Sequence, residues 1–497
     1  MLKPKANLLN PPDASVATPA ASPRIIPRSE HAISRSHISP NALRVLYRLR
    51  DAGFMAFLVG GCVRDLLLGL DPKDFDVATD ALPEEVRRLF RNSRLVGRRF
   101  RLAHVFFGRE IIEVATFRAT SAPAQGEEPL PDADPEDGEA PELDEAQAGV
   151  ESAPREGDSS DGETSAERMF DASGRILRDN VYGTIDEDVW RRDFTANALY
   201  YNIADFSIWD YVDGAHDIAR RTLRLIGDPE TRLREDPVRI LRAARFEAKL
   251  GFEIEPAAAA AMEALRGLIV NVPPARLFDE TLKLFLTGHG ARSFEVLRRR
   301  GLLAVLMPSV DSYLNSHPDG VVEKLLVQGL KNTDTRVRAD KPVTPTFLFA
   351  LLLYGPIARF IEAAPPERWH EIGMILEACD RAVRELQPRL ALPKRFALGV
   401  RELFALQPRL EHPRGRRALR VLEHPRFRAG YDLLLLRAEH GLASKEMARW
   451  WTRLQEVSPE ERGRMADALL AQSGAAPTAP RRRGRRRRRR AKAPAQA

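Results

Sequence analysis

Two aspartates one residue apart, Asp74 and Asp76, follow the glycine pair Gly60-Gly61, with the basic-acidic pair Arg64-Asp65 between them. Glycines let backbone N–H groups close on phosphate oxygens because no Cβ intervenes. On a strand, residues i and i+2 share a face, so Asp74 and Asp76 would present both carboxylates to one Mg²⁺ site while Phe75 points away. A phosphate cradle followed by a two-carboxylate metal site is what nucleotidyl transfer requires: one ion activates an attacking hydroxyl, the other neutralises a triphosphate and its departing pyrophosphate. An Asp-x-Asp pair alone equally describes two outward acids on a surface strand, and it is the upstream glycine element that favours the metal. Glu113, in IIEVATF, points away from the face of Ile112 and Val114. That leaves it either as a third carboxylate of the site or as an exposed strand residue.

The elements that must position these groups are legible around them. Ser39 as N-cap, Pro40 at the first helical position and Gly53 as a stop predict a helix over SPNALRVLYRLRDAG. Residues 54–59 read as a strand entering the glycine pair, 64–70 as the start of a helix, and 74–78 as a second strand. An amphipathic helix over 82–91 and strands at 103–107 and 111–117 complete a small mixed unit. From 121 to 168 the composition turns to Pro, Gly, Ser, Ala, Asp and Glu, with too few large apolar residues to offset ordering entropy, which predicts disorder. This is an insertion within a domain, since NVYGTIDEDVWRRDFTANALYY resumes ordered patterning. Beyond Ile226 the periodicity is helical, beginning with one long amphipathic helix, RLREDPVRILRAARFEAKLGF, that stops at Gly251. The expected fold class is α+β, a mixed-sheet head followed by helices. The expected layout is a disordered segment 1–32, a head 33–202 holding the insertion 121–168, a helical neck 203–270, a helical body 271–471 and a disordered Arg-rich tail 472–497.

The net charge of +7 hides an asymmetry. Residues 121–168 carry 16 Asp and Glu against 2 Arg, while the final stretch RRRGRRRRRRAKAPAQA carries ten cations. The strongly basic remainder predicts a polyanionic partner, of which nucleic acid is the commonest, although such a tail can also be a plain solvated charge run. Cys62 and Cys379 are the only cysteines, which excludes a disulfide framework and a cysteine-built zinc cluster and fits a reducing cytoplasm. No apolar run is long enough to span a bilayer, and the N-terminus has no apolar signal core. The ten histidines form no ligand spacing, so oxygen-bound Mg²⁺ rather than zinc is expected.

GGCVRD with DFD, then RRDFTANAL, then EDPVRILRAARFEAKLGF, together resemble the head and neck motifs of the class II nucleotidyltransferases, the superfamily of bacterial poly(A) polymerases and CCA-adding tRNA nucleotidyltransferases. The resemblance covers roughly residues 33–256 outside the acidic insertion and extends more weakly to about 440. It implies that Asp74 and Asp76 bind two catalytic Mg²⁺ ions and that Gly60, Gly61, Arg64 and Asp65 hold the triphosphate. It further implies that Arg192 and Asp193 contact the ribose and support the site, and that Asp236 and Arg239 face the incoming base. At i and i+3 on a helix the last two would share a face, a spacing that by itself describes an intrahelical salt bridge equally well.

LVGRRFRLAHV, residues 95–105, resembles the segment that marks the poly(A) polymerase branch, as do HAISRSHISPNALRVLYRLRDAGF and EHPRFRAGYDLLLLRAEHG. Arg98 and Arg99 follow a glycine there and suit phosphate or RNA. Cys62 occupies the family's third glycine position, where a small packed thiol is tolerated. The implied activity is template-independent addition of AMP from ATP to RNA 3′ ends. The alternatives are a CCA-adding enzyme and, in another class, an RNA-binding adaptor without catalysis, against which the intact Asp74, Asp76 and Arg64 argue. For RNA, the basic stretch RGRRALRVLEHPRFR points to Arg414, Arg416, Arg417 and Arg420, joined by Lys394 and Arg395. RNA-decay or RNA-chaperone proteins are the expected visitors to the disordered segments.

Overall fold

The computed structural model describes residues 22–97, 101–119, 168–170, 176–179 and 181–472. The chain forms two compact units, Met1–Val272 and Pro273–Ala497. In the first, the strands are β1 (Arg24–Ile26), β2 (Ala56–Val59), β3 (Asp76–Thr79), β4 (Ser93–Val96), β5 (Leu102–Phe107), β6 (Glu110–Thr116), β7 (Arg168–Phe170), β8 (Ile176–Asp179), β9 (Leu199–Asn202), β10 (Ile208–Asp210), β11 (Thr222–Leu223) and β12 (Glu253–Ile254). Eight of them make one mixed sheet in the order β1-β10-β9-β2-β3-β6-β5-β4, and only β3 and β6 run parallel within it. Phe57 anchors the core on one face, its ring 6.0 Å from Tyr200, 6.2 Å from Phe117 and 5.1 Å from Trp209.

The helices of this unit are α1 (Pro40–Asp51), α2 (Gly61–Leu67), α3 (Pro83–Leu89), α4 (Ile185–Trp190), α5 (Gly214–Arg220), α6 (Pro229–Glu235), α7 (Val238–Leu250) and α8 (Pro256–Leu265). The start of α1 follows the sequence. Ser39 Oγ accepts from Asn41 N–H at 3.1 Å, and the chain turns out of the helix at Gly53, φ 91°. The same hydroxyl donates to Glu110 Oε1, and Asn41 Nδ2 donates to Glu110 Oε2, fastening α1 to the first residue of β6.

Four expectations need correction. Residues 24–26, placed by composition in a disordered segment, are an edge strand paired with β10, with Ile26 buried and Ile25 left outside. Two isoleucines suffice because the partner edge supplies Ile208 and Trp209 opposite them. Strand β3 begins at Asp76, so Asp74 lies in the approach to the strand rather than on it. β10 carries the head sheet into the stretch 203–270 that was expected to be a helical neck. The single long helix before Gly251 is two, α6 and α7, broken at Asp236-Pro237. Proline lacks the N–H and pushes its predecessor out of the helical region, and Asp236 is extended at φ −146°, ψ 91°. The acidic insertion up to residue 167, Arg98 and Arg99, and the tail beyond residue 472 lie outside the described residues.

The second unit is a succession of helices from α9 (Pro274–Phe285) to α21 (Pro459–Gln472), including α16 (Ile372–Leu386), α17 (Lys394–Glu411), α18 (Arg417–Leu422), α19 (Phe427–Glu439) and α20 (Lys445–Glu456). Trp451 of α20 is fully buried, and its indole N–H donates to Leu410 O at 2.7 Å, so a polar tip inside an apolar cluster is satisfied. Among the described residues no single helix is long and apolar enough to cross a membrane.

Ser39→Ala removes both the cap and one ligand of Glu110. It is expected to cost about 1 kcal/mol and to lower the thermal midpoint, while Ser39→Thr, which keeps the hydroxyl, should cost less. Equal midpoints for wild type and Ser39→Ala in a melting experiment would show that the cap contributes nothing.

Candidate active site

The site grows from the junction of β2, α2 and β3. Gly60 ends β2 and caps α2 at φ 78°, ψ −134°, a conformation that a side chain makes costly. A Cβ built there would stand 3.8 Å from Asp76 Oδ2 and 3.9 Å from Arg192 Nη1, so the glycine keeps open the space between an acid and a guanidinium. Across the parallel pair, Asp76 of β3 sits in register with Glu113 of β6, and Glu113 with His104 of β5. Residues in register share a face, so the three line one row, and His104 Nε2 lies 3.4 Å from Glu113 Oε1.

This crowding has an electrostatic signature. Burial first, then the charges of Glu113 and Asp74, push the Asp76 carboxyl up to about 6 against the opposing charge of Arg192. Asp74, Asp76 and Glu113 therefore do come together, although Glu113 is exposed and Asp74 stands off the strand. Among the described residues no group of three His, Cys, Asp or Glu closes into a ready cage for a metal. The Cys62 thiol, beside Asp76, is pushed up to about 12 by burial and then by that carboxylate, and it donates to Val59 O at 3.2 Å. It is a packed thiol.

Arg192 is aimed rather than free. Its Nε donates to Tyr200 Oη at 2.7 Å and its Nη2 to Asp188 Oδ2 at 2.9 Å, while Tyr200 Oη–H donates to the same Asp188 oxygen at 2.7 Å. Burial opposes ionisation of Asp188, but Arg192 and the Tyr200 hydroxyl outweigh it and hold the carboxyl below its ordinary range.

The other expected residues sit differently. Arg64 is only 2% exposed, with Nε and Nη2 on Asp65 Oδ1 at 2.8 and 2.6 Å, Nη1 on Asn197 Oδ1, and its plane over the Phe246 ring at 5.2 Å. It braces α2 against α7 rather than lying open to a triphosphate. Asp65 also receives Lys249 Nζ of α7 at 3.2 Å. Asp193, expected among the catalytic acids, pairs with Arg242 of α7 through Nε at 2.7 Å and accepts from the Phe194 N–H at 2.8 Å. Burial works against its charge, yet Arg242 and these hydrogen bonds bring it down to about 2. Asp236 is not on a helix face with Arg239, since the helix break intervenes. Arg239 is buried, and its Nη1 donates to Arg232 O at 2.6 Å and to Glu235 Oε2 at 3.0 Å. Asn197, Arg232, Arg242 and Lys249 escaped the sequence reading. The i, i+3 and i, i+7 rhythm of Arg242, Arg245 and Lys249 along α7 was the available signal.

The sequence matches the family description "Poly A polymerase head domain" over residues 56–224, "Probable RNA and SrmB- binding site of polymerase A" over 251–314, and "Polymerase A arginine-rich C-terminus" over 368–491. It is 45% identical over 452 residues to Poly(A) polymerase I of Salmonella typhi, covering 90% of this chain and 88% of that protein. The chain belongs to the poly(A) polymerase family. Poly(A) polymerase I of Haemophilus influenzae is 42% identical over 88% of this chain and 89% of its own length. A CCA-adding enzyme of Lactobacillus helveticus is 31% identical over 51% of this chain and 52% of its own. Among solved structures, a tRNA-processing enzyme (apo form I) superposes at TM-score 0.52 with 19% identity, over 89% of this chain and 99% of that one, which supports the fold.

The basic residues singled out in the polymerase's second unit are not equivalent. Lys394 and Arg395 are exposed at the start of α17, and Arg414, Arg417 and Arg420 are exposed around α18. Arg416 is instead held by Asp467, Nη2 to Oδ2 at 2.9 Å and Nε to Oδ1 at 3.0 Å. Within the family's probable RNA-binding stretch, 251–314, the sequence singles out no individual residue, because its cations are dispersed among apolar helix positions.

A carboxyl whose native pKa of about 6 exceeds the ordinary 3.8 destabilises the fold above both values and costs nothing below both. Asp76→Asn should therefore stabilise the metal-free polymerase by up to about 3 kcal/mol above pH 6, the gain fading as pH falls toward 4. Denaturation across pH 4–8 checks this, and a pH-independent difference would contradict it.

Proposed function

We propose that this chain lengthens RNA 3′ ends without a template. The terminal 3′-hydroxyl attacks the α-phosphorus of ATP, the new O–P bond forms as the α–β bridging bond breaks, and pyrophosphate leaves. The observation that carries nucleotidyl transfer is Asp76, crowded by Glu113 and Asp74, facing Arg192 Nη1 across the space that Gly60 leaves open. Asp74 and Asp76 would hold two Mg²⁺ ions, which when bound lower the pKa of the attacking hydroxyl and neutralise the triphosphate. The residues fit such ions. A carboxyl kept protonated up to about pH 6 by burial and then by like charges is one that a divalent cation relieves, and Mg²⁺ needs only one or two carboxylates besides water and phosphate oxygens.

The chain's own groups then position and screen. Arg192, pre-aimed by Asp188 and Tyr200, offers Nη1 to a phosphate oxygen, and Gly60 and Gly61 admit the phosphates to the backbone. Arg64, Asp65 and Asn197 act through α2 by holding it still. Base selection belongs, in this reading, to the corner at Asp236 and the Arg232–Glu235–Arg239 cluster beside it, whose donors and acceptors suit a base edge. RNA is gripped without sequence preference through phosphate contacts, including those of the exposed basic residues 394, 395, 414, 417 and 420. The choice of ATP and a homopolymeric product rests on similarity to poly(A) polymerases along nearly the whole chain rather than half of it.

Purified protein incubated with Mg²⁺, an unstructured RNA primer and each NTP singly should give long ladders with ATP alone. Addition of C to a tRNA lacking its end would favour a CCA-adding enzyme, and no extension by a preparation that binds RNA would favour an adaptor. Asp76→Ala should cut extension by about a thousandfold or more while RNA affinity stays within about tenfold. Mg²⁺ with a non-hydrolysable ATP analogue should raise the melting temperature of wild type but not of Asp76→Ala. An equal rise in both would sink the metal assignment.

A further inference from the structure

The strands β6, β5 and β4, which continue the sheet beyond Asp76, have one covered face and one open face. On β6, Glu110, Ile112 and Val114 point to the covered side, where Ser39 and Asn41 of α1 hold Glu110 and the two apolar residues are buried. Ile111 and Glu113 point the other way and are exposed. Register sets their neighbours on that face: His104 of β5 beside Glu113, Phe106 beside Ile111, and Arg94 of β4 beside His104. Two rows therefore cross it. Arg94, His104 and Glu113 lead to Asp76, while Phe106 and Ile111 run alongside, about 7 Å away, toward the end of β3 that Asp74 approaches.

What the open face exposes says what it meets. Phe106 is 37% exposed and Ile111 42%, side by side across the β5–β6 pair, and the His104 ring meets Phe106 edge to face at 6.3 Å. Water-facing strand positions are ordinarily polar, so this pair leaves apolar area uncovered beside the reactive carboxylates. Arg94 is exposed, and among the described residues no ion pair or side-chain hydrogen bond engages it. An aromatic ring with an aliphatic neighbour takes a base by stacking, and an unpaired guanidinium takes a phosphate. The two reactants also divide the sheet between them. Gly60, Gly61 and Arg192 lie on the β2 side of Asp76 and receive the triphosphate in the reading above, so the strand bringing the attacking hydroxyl has the β6 side.

We propose that Phe106, with Ile111 beside it, is the stacking platform for the 3′-terminal base of the RNA primer, and that Arg94 takes a phosphodiester upstream of it. Stacked there, the base sets its ribose over the His104–Glu113 row and directs the 3′ oxygen at the Asp76 site. The proposal rests on the reading of RNA as the acceptor, and deepens it by giving the acceptor's reacting end a subsite of its own. Arg94 is three strand spacings, about 14 Å, from Asp76, which suits a linkage upstream of the reacting nucleotide. Stacking tolerates any base, so any RNA end is accepted, but a purine covers more of the platform than a pyrimidine. An end already carrying A is therefore held better than one in U or C.

The test is a cycle on the full chain that removes the ring, the base, or both. Wild type and Phe106→Ala are compared on an RNA primer and on the same primer whose 3′-terminal nucleotide lacks its base but keeps its hydroxyls. On the intact primer Phe106→Ala should lower kcat/KM for primer about tenfold with KM for ATP unchanged, and removing the base from wild type should cost a similar factor. The double change should cost no more than either alone, because the same contact is lost each time. Phe106→Trp should restore wild-type behaviour, and a primer ending in A should lose its advantage over one ending in U in Phe106→Ala. Ile25→Ala, which trims an exposed apolar residue at the far edge of the same sheet, should change none of these. Losses that multiply, a raised KM for ATP in place of the primer effect, or wild-type kinetics in Phe106→Ala would overturn the proposal. So would a wild-type dimer in sedimentation that Phe106→Asp dissociates, which would give the face to a second copy. Polarisation binding of both primers without NTP runs the same cycle on Kd, so that failure of the polymerase reading leaves wild type inert yet does not mimic failure of the subsite.

Discussion

Asp76 cannot ionise cheaply where it stands, and much of the head can be understood from that constraint. Register in the parallel β3/β6 pair places Glu113 alongside it, the approach to β3 brings Asp74 near, and burial of Asp76 itself removes the water that would solvate its charge. Among the described residues Arg192 is the cation that offsets the cost of ionising Asp76, and its charge is already shared with Asp188 and Tyr200. The centre therefore remains electronegative, which is the wrong sign for a triphosphate. Positive charge has to arrive with the nucleotide, as metal ions do. The carboxylate crowding and the absence of a closed protein cage are two aspects of one arrangement.

A second requirement is that the neck helix stay registered to this centre. Two separate ties run to α7, Lys249 to Asp65 and Arg242 to Asp193, with Phe246 between them under the Arg64 guanidinium. Lys249 is held below its ordinary range by burial despite Asp65, and Asp193 is driven to about 2 despite its burial. Buried pairs of this kind gain little net stability over apolar packing but punish any other alignment, because a slipped helix would strand two charges. The break at Asp236-Pro237 belongs to the same arrangement. It ends α6 before the paired face of α7 begins, and the Arg232–Glu235–Arg239 cluster ties the two helices together across it.

Local chemistry was legible in the sequence wherever a covalent or steric rule governed it. The Ser39 cap, the Gly60 turn and the alternation that set Glu113 apart from Ile112 and Val114 all depend on neighbours within four residues. What was hidden depended on partners far along the chain. The burial of Arg64 could not be read from its surroundings in sequence, because its partners Asn197 and Phe246 are more than a hundred residues away. The pairing of Asp193 with Arg242 could not be assigned from the sequence, because it joins residues far apart along the chain. The strand at Arg24–Ile26 was invisible because three residues gain their order from β10. In each case burial and long-range pairing, which local sequence does not carry, decide what surrounds the residue.

The same dependence applies with more force to the arginines of the helical unit. Adjacent in sequence, Arg416 and Arg417 are electrostatically opposite: one is committed to Asp467, while the other lines a cleft without a counter-charge. A run of basic residues counted along the chain gives total charge, which sets long-range attraction to a polyanion. It does not give the places where a phosphate displaces no existing partner. Binding at a paired arginine must first break an ion pair, so its net gain is small, whereas binding at an unpaired one also relieves repulsion among its neighbours. The structure converts a basic sequence into a short set of positions with net attraction.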